Sequence, residues 1–168
     1  MWYNCPHCAA FNPVISAWAK KQGDKIDFKQ IPVAFGPAFV PQQKLLFALD
    51  ALGIEDKITP QVFKAIHVER RRVDTDKNIL TFIQQQGIDQ QKFLDAYNSF
   101  GVQAKVKRAQ QLQDAYNIEG VPTLAIGGKY LTSPALMANS MPDQAEPAQQ
   151  AATLKVLDYL VAKTASGK

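Results

Sequence analysis

The sequence predicts an α/β domain interrupted by a block of helices, and three observations carry that reading. Ile26-Asp27-Phe28-Lys29-Gln30-Ile31 alternates apolar and polar side chains, the period of a half-buried strand. Thr123-Leu124-Ala125-Ile126 and Lys129-Tyr130-Leu131-Thr132 flank Gly127-Gly128, the pattern of a hairpin with a tight turn. Between these strand signals lie five apolar stripes at helical spacing.

Taken in order, residues 1–4 supply at most the last residues of a strand. Pro6 then suits the first position of a helix, where its missing N–H costs nothing. Phe11, Ile15 and Trp18 follow at i, i+4 and i+7 and give that helix an apolar face. Pro13 lies inside it and predicts a kink near Asn12, and Gln22-Gly23-Asp24 stops it. The strand at 26–31 comes next, closed by Pro32 and Pro37. Leu45, Leu46, Leu49 and Leu52 form a helical stripe ended by Gly53. Thr59-Pro60 opens a helix carrying Val62, Phe63 and Ile66. Ile79, Leu80 and Ile83 mark a further helix ended by Gly87. Asp89 caps the next, with Phe93, Leu94 and Tyr97, and Val102, Val106, Ala109 and Leu112 stripe the last of the block. After the hairpin, residues 134–147 are rich in Pro, Ala and Asn and read as loop. A final amphipathic helix from Ala148 carries Ala152, Leu154, Leu157, Leu160 and Val161, and frays over 164–168.

Composition narrows the function. The chain has 168 residues, 46% hydrophobic and 20% charged, which excludes wholesale disorder and fits one domain with an insert. Apolar runs are only a few residues long, too short to cross a membrane. Nineteen Lys+Arg against fifteen Asp+Glu leave +4, spread thinly, where a nucleic-acid binder clusters its charge. Two cysteines exclude a disulfide-dense scaffold and a four-cysteine zinc site. No charged start followed by an apolar run marks a secretory signal at the N-terminus.

The chemistry is concentrated in Cys5-Pro6-His7-Cys8. The spacing puts two sulfurs one helical turn apart, with Cys5 at the N-cap. Unpaired backbone N–H groups and the positive end of the helix dipole then favour its thiolate, and His7 adds a donor or a charge. An ordinary thiol is only about 3% ionised at pH 7, so a lowered pKa makes Cys5 both an attacking and a leaving group. Cys8, deeper in the helix, is the expected resolving thiol.

Three plainer readings compete. A purely structural disulfide would close so short a loop that it removes little chain entropy. A metal site would need ligands beyond Cys5, His7 and Cys8, and the other histidine, His67, lies far along the chain. Covalent haem attachment needs a histidine directly after the second cysteine, and residue 9 is Ala. Elsewhere, Arg70-Arg71-Arg72 reads as a solvated helix end and His67 as a packed or surface histidine. Trp2 and Tyr3 are placed to border the site. Residues 35–39 and 131–141 read equally as core or as an apolar groove for unfolded substrate.

Residues 5–168 resemble the DsbA family of periplasmic thiol-disulfide oxidoreductases, in which a helical subdomain is inserted in a thioredoxin-like fold. Cys5-Pro6-His7-Cys8, the Pro13-containing first helix, the helical block and Gly120-Val121-Pro122-Thr123 before a strand carry the resemblance. It implies a thioredoxin-like α/β domain from 1–40 and 118–168, an insert at 41–117, and N-terminal strands missing or truncated. It implies Cys5 as nucleophile, Cys8 as its partner and Pro122 as a cis-proline facing their disulfide, leaving the Val121 peptide to pair with substrate. The implied redox group is the Cys5–Cys8 disulfide itself, with no metal or other cofactor. The implied partners are reduced, newly secreted proteins and a membrane-bound DsbB-like reoxidase in the periplasm, with no nucleic acid. The chain is expected to be a monomer, open to strand exchange. A reductase or isomerase, and a non-catalytic peptide-binding module with a structural disulfide, are the alternatives.

Overall fold

A computed structural model describes residues 1–166, so Gly167 and Lys168 of the expected frayed end lie outside the described residues. The elements are α1 (Pro6–Gln22), α2 (Val40–Ala51), α3 (Glu55–His67), α4 (Asp76–Gln85), α5 (Gln90–Tyr97), α6 (Phe100–Ala115), β1 (Leu124–Ile126), β2 (Tyr130–Thr132), α7 (Pro134–Ser140) and α8 (Glu146–Ser166). Packing groups them into two units. One holds Met1–Ala9 and Gln30–Ile118; the other holds Ala10–Lys29 and the chain from Glu119 onward. This grouping cuts across the segments 1–40, 41–117 and 118–168, because residues 1–9 and 30–40 pack with α2–α6.

In the first unit α2 is central and packs against α3, α5 and α6. Its Leu45, Leu46 and Leu49 are buried with Val62, Ile79, Ile83 and Phe93, residues the helical stripes single out, and with Phe82, which they do not. Side-chain caps set the helix starts: Thr75 accepts from Asn78 N, Asp89 from Lys92 N at 2.9 Å and Ser99 from Val102 N at 3.1 Å. One expected start is corrected. Thr59-Pro60 does not open α3, which begins at Glu55 and carries Pro60 inside it. Thr59 is buried and its hydroxyl is engaged with Tyr3 and Glu55, so it caps nothing.

The strand expected at 26–31 is also corrected, since no strand forms there. Ile26 is extended, with φ −135° and ψ 152°, but alternation fixes only conformation and face; a ladder also needs a partner. Such pairing is present at the segment's end. Met1 N donates to Ile31 O at 2.8 Å and Val33 N to Met1 O at 2.9 Å, the two bonds of a parallel bridge. Gln43, fully buried on α2, donates from Nε2 to Pro32 O at 2.9 Å and ties this stretch to the helices.

The second unit is built on the apolar face of α1. Phe11, Ile15 and Trp18 form one cluster with Ile126 of β1 and Leu157 and Leu160 of α8. Trp18 Nε1 and Gln22 Nε2 both donate to Asp158 Oδ1 at 2.8 Å. The helix runs unbroken through Pro13. The hairpin forms as predicted, antiparallel with Ala125 opposite Leu131. Gly127 and Gly128 take φ of +57° and +70°, the positive pair that a type I′ turn requires. At Gly127 a Cβ would also stand 2.9 Å from Thr164 Cγ2, so glycine is required there for space as well.

Residues 134–147 are not all loop. Ser133 accepts from Leu136 N at 3.1 Å and Pro134 takes the first helical position, which together start α7. α8 begins at Glu146, and residues 164–166 stay helical, with Thr164 Oγ1 donating to Leu160 O at 2.9 Å.

Candidate active site: a dithiol at the start of a helix

Residues 2–5 form a turn closed by Cys5 N donating to Trp2 O at 3.1 Å, with Tyr3 and Asn4 at its centre. α1 starts immediately after, so Cys5 is its N-cap. Cys5 O accepts from Ala9 N at 3.1 Å, the first bond of the helix, while Cys5 Sγ accepts from Cys8 N at 3.4 Å. The thiol thus occupies the place of a capping hydroxyl. Cys5 is 7% exposed and Cys8 2%, whereas Pro6 and His7 between them are exposed. Both cysteines are present as thiols.

Their acidities are driven apart. The Cys8 thiol donates to Cys5, and the backbone N–H groups of Cys8 and His7 and the His7 charge add to it. Together they outweigh burial and bring the Cys5 pKa down to about 6. Donating to Cys5, and burial, push Cys8 well above the ordinary thiol range. With a pKa of about 6, Cys5 is about nine-tenths ionised at pH 7, against about 3% for an ordinary thiol. One sulfur favours the anion and the other, the more deeply buried, holds its proton.

Tyr3, placed at the border of the site by the sequence, is held in this turn by residues that sequence reasoning did not assign there. Tyr3 is 1% exposed, and its hydroxyl shares a 2.9 Å hydrogen bond with Thr59 Oγ1. Thr59 in turn donates to Glu55 Oε1 at 2.9 Å, which also accepts from Gln30 Nε2 at 2.9 Å. His67 Nε2 lies 2.8 Å from Tyr3 O, and Gln42 Nε2 donates to Asn4 Oδ1 at 2.9 Å. The hydrogen bonds that Tyr3 and Asn4 make with α2 and α3 span 38 to 64 residues of chain, so no local pattern could have shown them. Trp2 does border the site, with its ring edge-on to Phe39 at 4.8 Å and Phe35 at 5.9 Å. Phe35 stays exposed while Phe39 is half-buried.

Val121 and Pro122 belong to the second unit, and the peptide between them is cis. Leu131 and Leu136, in the same unit, are exposed. Arg70 lies just past α3 in the left-handed region, φ +57°, while Arg71 pairs with Glu69 and Arg72 with Asp74. Among the described residues no three His, Cys, Asp or Glu side chains gather as metal ligands, and no helix is long and apolar enough to cross a membrane.

Two thiols a helical turn apart, the first held as an anion by the helix that follows it, define a thiol–disulfide oxidoreductase. Comparison with known proteins narrows this. A DSBA-like thioredoxin domain matches residues 39–149. The chain is 48% identical over 160 residues to a thiol:disulfide interchange protein DsbA of Burkholderia cepacia, covering 95% of this chain and 71% of that one. A Bordetella parapertussis DsbA is 41% identical over 162 residues, covering 96% and 73%. A crystal structure of Pseudomonas aeruginosa DsbA superposes with a TM-score of 0.86 at 33% identity, covering 99% of this chain and 81% of that one. The chain belongs to the DsbA family, with its thioredoxin-like α/β fold and helical insertion.

Proposed function

We propose that Cys5 and Cys8 cycle between dithiol and disulfide, and that the disulfide form oxidises reduced, newly secreted proteins in the periplasm. A substrate thiolate attacks Cys5 Sγ, forming a mixed disulfide, breaking the Cys5–Cys8 bond and expelling Cys8 as a thiolate that takes a proton from the substrate's second thiol. A second substrate thiolate then attacks the substrate sulfur of the mixed disulfide and expels Cys5 as a thiolate. The substrate loses two electrons and gains a disulfide; the enzyme gains both electrons. A membrane-bound DsbB-like reoxidase is the proposed acceptor that returns Cys5 and Cys8 to the disulfide. His7 and Pro6 sit between the cysteines, His7 as a charge and backbone donor favouring the leaving thiolate. Val121 and Pro122 are assigned to the substrate side by family resemblance.

The observation that carries this reading is the Cys5 Sγ seated as the cap of α1, accepting from Cys8 N. A stabilised thiolate is a good leaving group, and its stability favours the reduced enzyme, which is what an oxidant of other thiols needs. A redox titration against glutathione tests it. A potential more oxidising than about −250 mV is expected; a more reducing value moves the chain to the reductase alternative. Catalysed oxidation of a reduced, unfolded substrate distinguishes it from a peptide-binding module: Cys5→Ala should end turnover, whereas a binding module would keep its peptide affinity and show no turnover at all.

A further inference from the structure

We infer that His67 is a positioning residue for the Cys5–Cys8 pair, acting through the Tyr3 main-chain carbonyl. The turn over residues 2–5 is closed by a single backbone bond, Cys5 N to Trp2 O. Its middle peptide joins Tyr3 to Asn4, and in a four-residue turn that peptide can rotate between two settings while the closing bond survives. His67 fixes the setting. A carbonyl oxygen can only accept, so at 2.8 Å it is His67 Nε2 that carries the hydrogen and donates to Tyr3 O. The imidazole carries that hydrogen either as the neutral Nε2–H tautomer or as the imidazolium, so the bond itself does not depend on pH.

The same turn is gripped by its side chains. Tyr3 OH meets Thr59 Oγ1 on α3, eight residues before His67, and Asn4 Oδ1 accepts from Gln42 Nε2 on α2. Gln42 also donates to Val73 O at 2.9 Å, so it cannot swing away without losing two bonds. Tyr3 is therefore held at both its carbonyl and its hydroxyl by one helix. What this secures is the position of the next residue but one: the cap geometry at Cys5 depends on Sγ staying within reach of Cys8 N, now 3.4 Å away. A turn free to rotate would lengthen it first.

This inference rests on Cys5 being the reactive thiolate, and the experiment separates the two claims. Thiolate absorbance is titrated in the full chain for wild type, His67→Leu and His67→Gln. Wild type alone tests the reading of Cys5: an ordinary thiol midpoint there overturns that reading. Given a lowered wild-type midpoint, His67→Leu is expected to raise it by about half a unit to one unit, the size of one lost hydrogen bond. His67→Gln, whose amide N–H reaches the same carbonyl, is expected to restore most of it. An unchanged midpoint in His67→Leu overturns the inference, and so does a His67→Gln midpoint as high as that of His67→Leu, which would assign the effect to the ring's packing on Phe63. If His67→Leu fails to fold, His67→Phe, which keeps a ring against Phe63 and removes the donor, decides: a raised Cys5 midpoint supports the coupling, and an unchanged one overturns it.

Discussion

At Cys5 the hydrogen bonds donated by Cys8 and by the His7 backbone, which favour the anion, win over burial, which favours the thiol. The sign of the resulting pH dependence follows. The folded dithiol releases the Cys5 proton near pH 6, whereas the unfolded chain releases it near the ordinary thiol value of about 8.5. Between these the unfolded state holds more protons, so the reduced protein gains stability as pH rises through that window and loses it as pH falls through 6. The disulfide form has neither proton. The melting temperature of the reduced minus the oxidised protein is therefore expected to climb from pH 5.5 to 8.5; a flat difference would show that Cys5 ionises alike folded and unfolded. Cys5→Ser should bring substrate oxidation to the uncatalysed background with far-UV circular dichroism unchanged. Cys5, His7 and Cys8 were legible in the sequence because the chemistry is local, four residues and one helix start. The parts played by Thr59 and His67 were not, because their hydrogen bonds to Tyr3 join residues 56 and 64 apart.

The helices are held at their starts by single polar side chains, and these offer direct tests. Asp89→Ala removes the acceptor of Lys92 N, and Ser133→Ala the acceptor of Leu136 N; each is expected to cost about 1 kcal/mol, read from urea unfolding. The Asp89 cap and the Gly127-Gly128 turn were readable because a short residue pattern names one local geometry. α7 was missed although Ser133-Pro134 is an ordinary helix opening, because its seven residues are too few to show a period. The start of α3 was misplaced for the opposite reason. Thr59 before Pro60 looks like a cap, but the hydroxyl was recruited by Tyr3, a partner no local pattern reveals.

At the scale of the molecule each unit rests on its own core. Phe82, 1% exposed, anchors the first and Leu157, 1% exposed, the second. Phe82→Ala is expected to cost about 3–5 kcal/mol and Leu157→Ala about 2–5, measured by denaturant titration at constant redox state. Leu157 lay on a stripe read from the sequence; Phe82 was not on the Ile79, Leu80 and Ile83 stripe read for its helix. The alternation at 26–31 pointed to a strand that does not form, since pairing depends on residues that its own pattern does not encode. One feature of the site reaches beyond the single chain. Residue 8 stabilises the anion through its backbone as well as its thiol, so removing only its sulfur keeps part of the reactivity and deletes the means of escape. Cys8→Ala, charged with glutathione at Cys5, should exchange glutathione for client cysteines and stay attached. The cell's clients could then be fished out on a covalent hook and identified by mass spectrometry.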